Sequence, residues 1–318
     1  ATVLMTIGFV SAGLLTFPQA IGVIMGAAVG TTRPGWVVSL VGLKFSLSVI
    51  ALPVVGVGAL LRLLGRGRLA SSGLSLAGFG LIFVGIDTLQ AGMEVFANGI
   101  DPASLPGATV GGRFVLVMAG IVMTVVMQSS SAAVATTLAA VHSGAVDVFQ
   151  AAALVVGQSI GTTSTSAIAG LGGSTDARRT AAVHVVFNLF AGGIAFLSLP
   201  LLPYLIGTLA ASPVGADSTV FIAGFHTGFH LVAMLIAVPF TRQLARFIER
   251  LIPARGPQLT RHLDPSVARV PEVATEAARR TMIKVARVLV DELDELLARR
   301  RRAAEGGAVL AVHNALRE

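Results

Sequence analysis

The sequence contains no cysteine. That excludes disulfides, thiolate metal sites and thiol nucleophiles, and leaves the redox compartment unconstrained. Charge is almost as scarce. Only 12% of the 318 residues are Asp, Glu, Lys or Arg, against 54% hydrophobic, and the mean hydropathy is +0.83. A water-soluble domain carries about twice that share of charge, so water is not the main solvent of this chain. Lys and Arg are missing altogether from residues 69–112 and 180–241. Also lacking is any recognisable arrangement of nucleophile, base and orienting acid, so no catalytic residue is assigned and an enzyme is the weakest reading. His226 and His230 have helical spacing, but His226-Thr-Gly-Phe-His230 lacks the Glu of a zinc protease motif.

The charge that is present is segregated. Residues 1–241 hold 8 Lys/Arg and 6 Asp/Glu, and residues 242–318 hold 15 and 10. The net charge of +7 does not read as a nucleic-acid partner, because the basic residues gather in the tail and at helix ends, where lipid headgroups attract them. Arg62, Arg66 and Arg68, then Arg178 and Arg179, then Arg242, Arg246 and Arg250 mark cytoplasmic ends by the positive-inside rule, with Asp101 and Asp217 on the far side.

Apolar stretches at 35–61, 72–97, 180–210 and 218–241 are long enough to span a bilayer, which needs about 20 residues each. The fold class is therefore an all-α membrane protein, a polytopic helical bundle. Two further apolar regions, 1–28 and 114–172, are interrupted by Gly, Ser, Thr and Gln and predict broken or re-entrant helices. Unpaired backbone amides are too costly in hydrocarbon, so such breaks survive only inside protein or against a watery cavity, and they mark candidate binding sites. Asp87, Glu94 and Lys44 fall within predicted spans, where a Lys44–Asp87 pair is one reading and a structural hydrogen bond with an interfacial Glu94 the other. His184 and Asn188 share a helical face by their i, i+4 spacing, which lets them reach a site or bond neighbouring helices, the second being the favoured role.

Sliding the chain against itself by 131 positions superimposes Gly26-x-x-x-Gly30-Thr31-Thr32 on Gly157-x-x-x-Gly161-Thr162-Thr163, Gly13 on Gly144, Gln19-Ala20 on Gln150-Ala151 and Thr6 on Thr137. An internal duplication follows, expected to be of inverted membrane orientation. Under this register Gln128-Ser129-Ser130-Ser131 has its partner in the four positions before Ala1, so the chain is expected to be cut at its start. Residues 1–68 then form an incomplete first repeat and 69–256 the second repeat with its membrane helices. Residues 257–318 form a cytoplasmic tail, in which Met282, Ala286, Leu289, Leu293 and Leu296 line one face of a soluble amphipathic helix from Glu272 to about Arg302. That stripe needs a partner, expected from a downstream domain cut from the chain's end, from self-association or from a regulatory protein.

Gln128-Ser129-Ser130-Ser131-Ala132, Gly157-Gln158-Ser159-Ile160-Gly161-Thr162-Thr163 and His184-x-x-Phe187-Asn188, in that order, resemble the second repeat of the sodium-dependent phosphate cotransporters. Met5 to Trp36 resembles the first repeat, and the tail resembles the start of the PhoU-like domain of many bacterial members. The resemblance covers roughly residues 1–241. It implies a multi-pass protein of the bacterial inner membrane, with a cytoplasmic tail, that imports inorganic phosphate with sodium as the coupling ion and no cofactor, by alternating access. It further implies phosphate at Gln128, Ser129, Ser130 and Ser131, and sodium at Ser159, Thr162, Thr163, Thr31 and Thr32. The chemistry suits these residue types: hydroxyls and freed carbonyls offer oxygen to a hard cation, while hydroxyls, an amide and helix N-terminal N–H groups offer donors to an anion. Close helix packing by small residues is the alternative role for the Ser and Thr. Ala28 and Ser159 depart from the family's usual Asn, and Arg33-Pro34 from its usual hydroxyl pair. These departures keep open another small anion or altered cation coupling, and a phosphate-sensing scaffold signalling through the tail is the further alternative.

Overall fold

The structure, a computed structural model, describes residues 2–43, 48–99, 104–107, 109–171, 173–209, 217–253 and 271–315. Among them there is no strand, and every regular element is helical. In the first part α1 (Thr2–Ser11), α2 (Phe17–Gly30) and α3 (Arg33–Val37) lead through a π-helical turn, Val38–Gly42, towards α4 (Ser48–Leu64) and α5 (Arg68–Ala97). Then come α6 (Val110–Met127), α7 (Ser130–His142), α8 (Val148–Gly161) and α9 (Thr163–Leu171). The remainder is α10 (Thr175–Ser198), α11 (Leu202–Leu209), α12 (Ser218–Ala237), α13 (Thr241–Leu251) and α14 (Pro271–Ala315).

The duplication is written into the backbone. α2 and α8 are both 14 residues long and their limits differ by 131 at each end. Gly13 and Gly144 both take positive φ, 71° and 77°, which an L side chain adopts only with strain. Leu14 N donates to Phe9 O at 2.8 Å, and Ala145 N to Ala140 O at 2.9 Å. Each following helix opens on the same cap, with Gln19 Oε1 accepting from Thr16 N and Gln150 Oε1 from Asp147 N, both at 2.9 Å.

α10 and α12 pack against both α2 and α8, so the two repeats share one core. Ile21, Ile24, Met25, Val155, Val156, Phe187 and Ile222 are buried there, while Leu52, Leu63, Phe79 and Leu197 are exposed on the outside. An apolar exterior over an interior of small residues is the arrangement a lipid solvent favours, since helices there associate by close packing. α6 and α8 approach at Gly120 and Gly157, where an added Cβ would overlap the carbonyls of Leu154 and Val117.

Among the described residues, four helical segments are long and apolar enough to cross a membrane: Arg68–Val95, Val110–Met127, Thr175–Leu209 and Ser218–Leu251. The stretch 35–61, expected as one span, is instead divided. Pro34 helps start α3, the π-helical turn ends it, and α4 is a separate helix of 17 residues with Pro53 inside. The region 114–172 is broken as expected: α6 runs to Met127, the chain breaks at Gln128, and α7 starts at Ser130. α10 starts at Thr175, capped by the Ser174 hydroxyl, which takes Arg178 and Arg179 into its first turns. Arg179 Nε donates to Ile252 O just beyond α13 at 2.9 Å, so two of the arginine-bearing ends meet. The amphipathic tail helix exceeds its expected end near Arg302, since α14 reaches Ala315.

Candidate functional site

The break between α6 and α7 begins with Gln128, the one non-glycine residue at positive φ, 51°, among the described residues. Such a conformation costs about 1 kcal/mol for an L side chain and persists where the surroundings enforce it. The Gln128 Nε2 donates to Val125 O at 2.5 Å, folding the amide back over the end of α6. Ser129 caps α7, its Oγ accepting from Ala132 N at 3.2 Å. The amides of Ser130 and Ser131, in the first turn, have no intrahelical acceptor.

Beside this break lies a cavity of about 410 Å³, within the range of small-ligand sites. Its wall takes Gln128, Ser129, Ser130 and Ser131 from the break, Thr31 from the end of α2, and Ser159 and Thr162 from the end of α8. Among the described residues, no Asp, Glu, Lys or Arg lines it. Thr31 Oγ1 donates to Ala28 O at 2.7 Å and Thr162 Oγ1 to Gln158 O at 3.0 Å. A hydroxyl that donates to backbone keeps its lone pairs for a cation.

Thr32 and Thr163 do not line this cavity. Both are buried, with hydroxyls donating to Val29 O and Ile160 O, each at 2.8 Å, as the repeat requires. Thr32 Oγ1 also lies 2.9 Å from Thr227 Oγ1, which accepts the Trp36 indole N–H at 2.8 Å. Arg33 is exposed and outside the lining, so it places no cation in the cavity wall. Asp87 and Glu94 are likewise exposed and away from it, and Lys44 lies outside the described residues.

The cavity is unequal between the repeats. The counterparts of Gln158 and Ser159 are Ala27 and Ala28, which carry no side-chain oxygen. Gln158 ties α8 to α7, its Nε2 donating to Thr137 Oγ1 at 2.7 Å and to Ala133 O at 3.1 Å, with its Oε1 buried and unpartnered. Ser159 Oγ lies 3.0 Å from His230 Nε2 and 3.3 Å from Asn188 Oδ1.

Sequence reasoning noted the histidines but did not assign them to the site. His184 on α10 and His226 and His230 on α12 all line the cavity, and all three are buried. The i, i+4 spacings were legible, but only the packing of α10 and α12 around α8 brings these residues to one wall. His184 Nδ1 lies 2.6 Å from Ser166 Oγ, His230 Nδ1 lies 3.0 Å from His226 O, and His226 Nδ1 is buried without a partner.

Residues 1–91 and 97–201 match the sequence profile of a family described as Na+/Pi-cotransporter. The chain is 32% identical over 258 residues, 80% of each protein, to YqeW of Bacillus subtilis, whose title assigns it no activity. It is 27% identical over 301 residues to YjbB of Salmonella typhimurium and over 298 to YjbB of Escherichia coli, both titled as candidate inorganic phosphate export proteins. Those alignments take in 90% of this chain and 52% of YjbB, so the chain spans about half the length of those relatives. No solved structure matches it.

Proposed function

Because the chain belongs to the Na+/Pi-cotransporter family, we propose that it is a membrane transporter of inorganic phosphate driven by sodium. Phosphate sits at the break of Gln128 to Ser131, with sodium held by oxygens of Ser159, Thr162 and Thr31. Thr32 and Thr163 act from behind, by fixing the ends of α2 and α8. The observation that supports this most is the cavity itself: hydroxyls from the ends of both repeats line one space, with no Asp, Glu, Lys or Arg among the described residues of its wall. An anion accompanied by cations is nearly neutral, and a wall without Lys or Arg lets it leave again, as transport requires. The meeting of the Arg179 and Ile252 ends favours a common cytoplasmic side in a bacterial inner membrane, with α14 beyond it. The helix pairs of the two repeats around α10 and α12 suit alternating access at their interface.

Import is the direction a sodium gradient would favour. The titles of the YjbB proteins favour a second reading, export. The alanines at 27 and 28 favour fewer sodium ligands in the first repeat than in the second.

Flux of radiolabelled phosphate in proteoliposomes, with sodium imposed on either side, tests both readings. Uptake that follows the sodium gradient is the expected result, and Gln128→Ala or Ser130→Ala lowers it about tenfold or more with membrane insertion intact. Normal flux in both variants would reject the site. Sodium-independent flux rejects the coupling, and phosphate binding without flux favours a sensor acting through α14.

A further inference from the structure

The hydrogen-bonding role of His184 can be settled by counting protons. Ser166 Oγ lies 2.9 Å from Thr163 O and 2.6 Å from His184 Nδ1. A carbonyl only accepts, so the single hydroxyl proton of Ser166 goes to Thr163, and the Ser166 oxygen accepts from His184. The proton of the neutral ring is therefore on Nδ1, and Nε2 carries a lone pair. Among the described residues no hydrogen bond engages that Nε2, and His184 lines the cavity. His230 shows the same tautomer with its acceptor already used. Its Nδ1 donates to the His226 carbonyl at 3.0 Å, and its Nε2 lies 3.0 Å from the Ser159 hydroxyl.

A hydroxyl can turn to suit any neighbour, whereas an imidazole held by its other nitrogen cannot. His184 can exchange tautomers only if the Ser166 hydroxyl gives up the Thr163 carbonyl and turns to donate to Nδ1. No carboxylate lines the cavity to hold an imidazolium. The cavity thus contains an acceptor that requires a donor from whatever binds there.

Building on the transport reading above, we propose that His184 Nε2 accepts a hydrogen bond from the P–OH of the carried phosphate and so excludes tetrahedral oxyanions that have no proton. Phosphate keeps at least one hydroxyl at neutral pH, and sulfate has none. Sulfate would set an oxygen lone pair against the Nε2 lone pair and leave both unsatisfied in a desolvated site. One such mismatch weakens binding by about ten- to a hundredfold.

Binding of radiolabelled phosphate to the purified full chain in lipid nanodiscs with sodium, in competition with sulfate, tests this. The wild type should prefer phosphate by about tenfold or more. His184→Asn keeps a nitrogen beside Ser166 and deletes the acceptor, and should bring the two anions within about threefold of each other. His184→Gln returns an amide oxygen near the Nε2 position and should restore the preference. A His184→Asn protein with the wild-type ratio overturns the proposal, because a merely structural role would leave the ratio unmoved. If His184→Asn does not fold, Ser166→Ala frees both tautomers and should lower the ratio, and an unchanged ratio there overturns it equally. A wild type that binds both anions alike overturns the selectivity and leaves transport standing. One that binds neither removes the transport reading and this proposal with it.

Discussion

At Ser159 one hydroxyl stands between two side chains, 3.0 Å from His230 Nε2 and 3.3 Å from Asn188 Oδ1. It has a single proton for these two acceptors, since His230 spends its own on His226 O. Removing it leaves both without a donor in a buried place, and an unsatisfied buried group costs about 1–3 kcal/mol. Ser159→Ala should therefore lower the thermal midpoint of the purified protein by several degrees as well as weaken sodium-dependent phosphate binding. A midpoint unchanged by the substitution would show that Asn188 and His230 are satisfied some other way. This residue also marks how far the candidate site could be read from sequence. Its hydroxyl was legible as an oxygen donor from its place before Gly161-Thr162. Its partners were not, because Asn188 and His230 come from helices 29 and 71 residues away, and no local spacing specifies that encounter.

The contact between α6 and α8 depends on two glycines. A Cβ at Gly157 would overlap the carbonyl of Val117, which is backbone and cannot turn aside. Gly157→Ala should force the helices apart, costing about 1–3 kcal/mol, and Gly157→Leu should abolish stable expression. A thermal midpoint within 1 °C of wild type for the alanine variant would contradict this packing, since 1 °C is about 0.7 kcal/mol for a chain of this size.

α14 supports a prediction about pH. Its first turns pack Val273 and Ala277 against Ala12, Arg280 donates to Gly13 O, and Glu276 receives Arg279 Nε at 2.7 Å and Arg280 Nε at 2.8 Å. The hydrogen bonds from Arg279 and then Arg280 hold the Glu276 carboxyl down at about 2. A depressed carboxylate contributes stability above its ordinary value of 4.5 and loses it as the pH falls towards 2. Protection from amide exchange in the first turns of α14, taken relative to the intrinsic rate at each pH, should fall between those limits in the wild type. In Glu276→Gln that ratio should be low already and nearly level across that window, and identical profiles would contradict the assignment. Beyond these turns Met282, Leu289, Leu293 and Leu296 are each more than half exposed. The amphipathic stripe was thus legible as a stripe.

On the scale of the whole molecule, the 131-residue offset was visible in a few matched residues, and the structure extends it to matching glycine conformations, caps and helix limits. Gly, Gln and Thr at turns and caps are fixed by local backbone demands, which is why the repeat was readable. The division of 35–61 was not, because the apolar composition there suits a lipid-facing helix whether or not a π-helical turn interrupts it. The same limit hid the cavity's histidine wall, which only the shared packing of α10 and α12 on both repeats creates.

The claim on which the account turns is that Ser130 of the second repeat, at the bound phosphate, and Thr31 of the first, at its sodium, face one shared cavity. The natural sequence is free of cysteine, so Ser130→Cys and Thr31→Cys each introduce a single thiol whose rate of alkylation can be measured directly. Phosphate with sodium should slow labelling at both positions, and leave Thr275→Cys, on exposed α14, unaffected. Protection at neither position, or at Ser130 without Thr31, would contradict a site shared between the repeats.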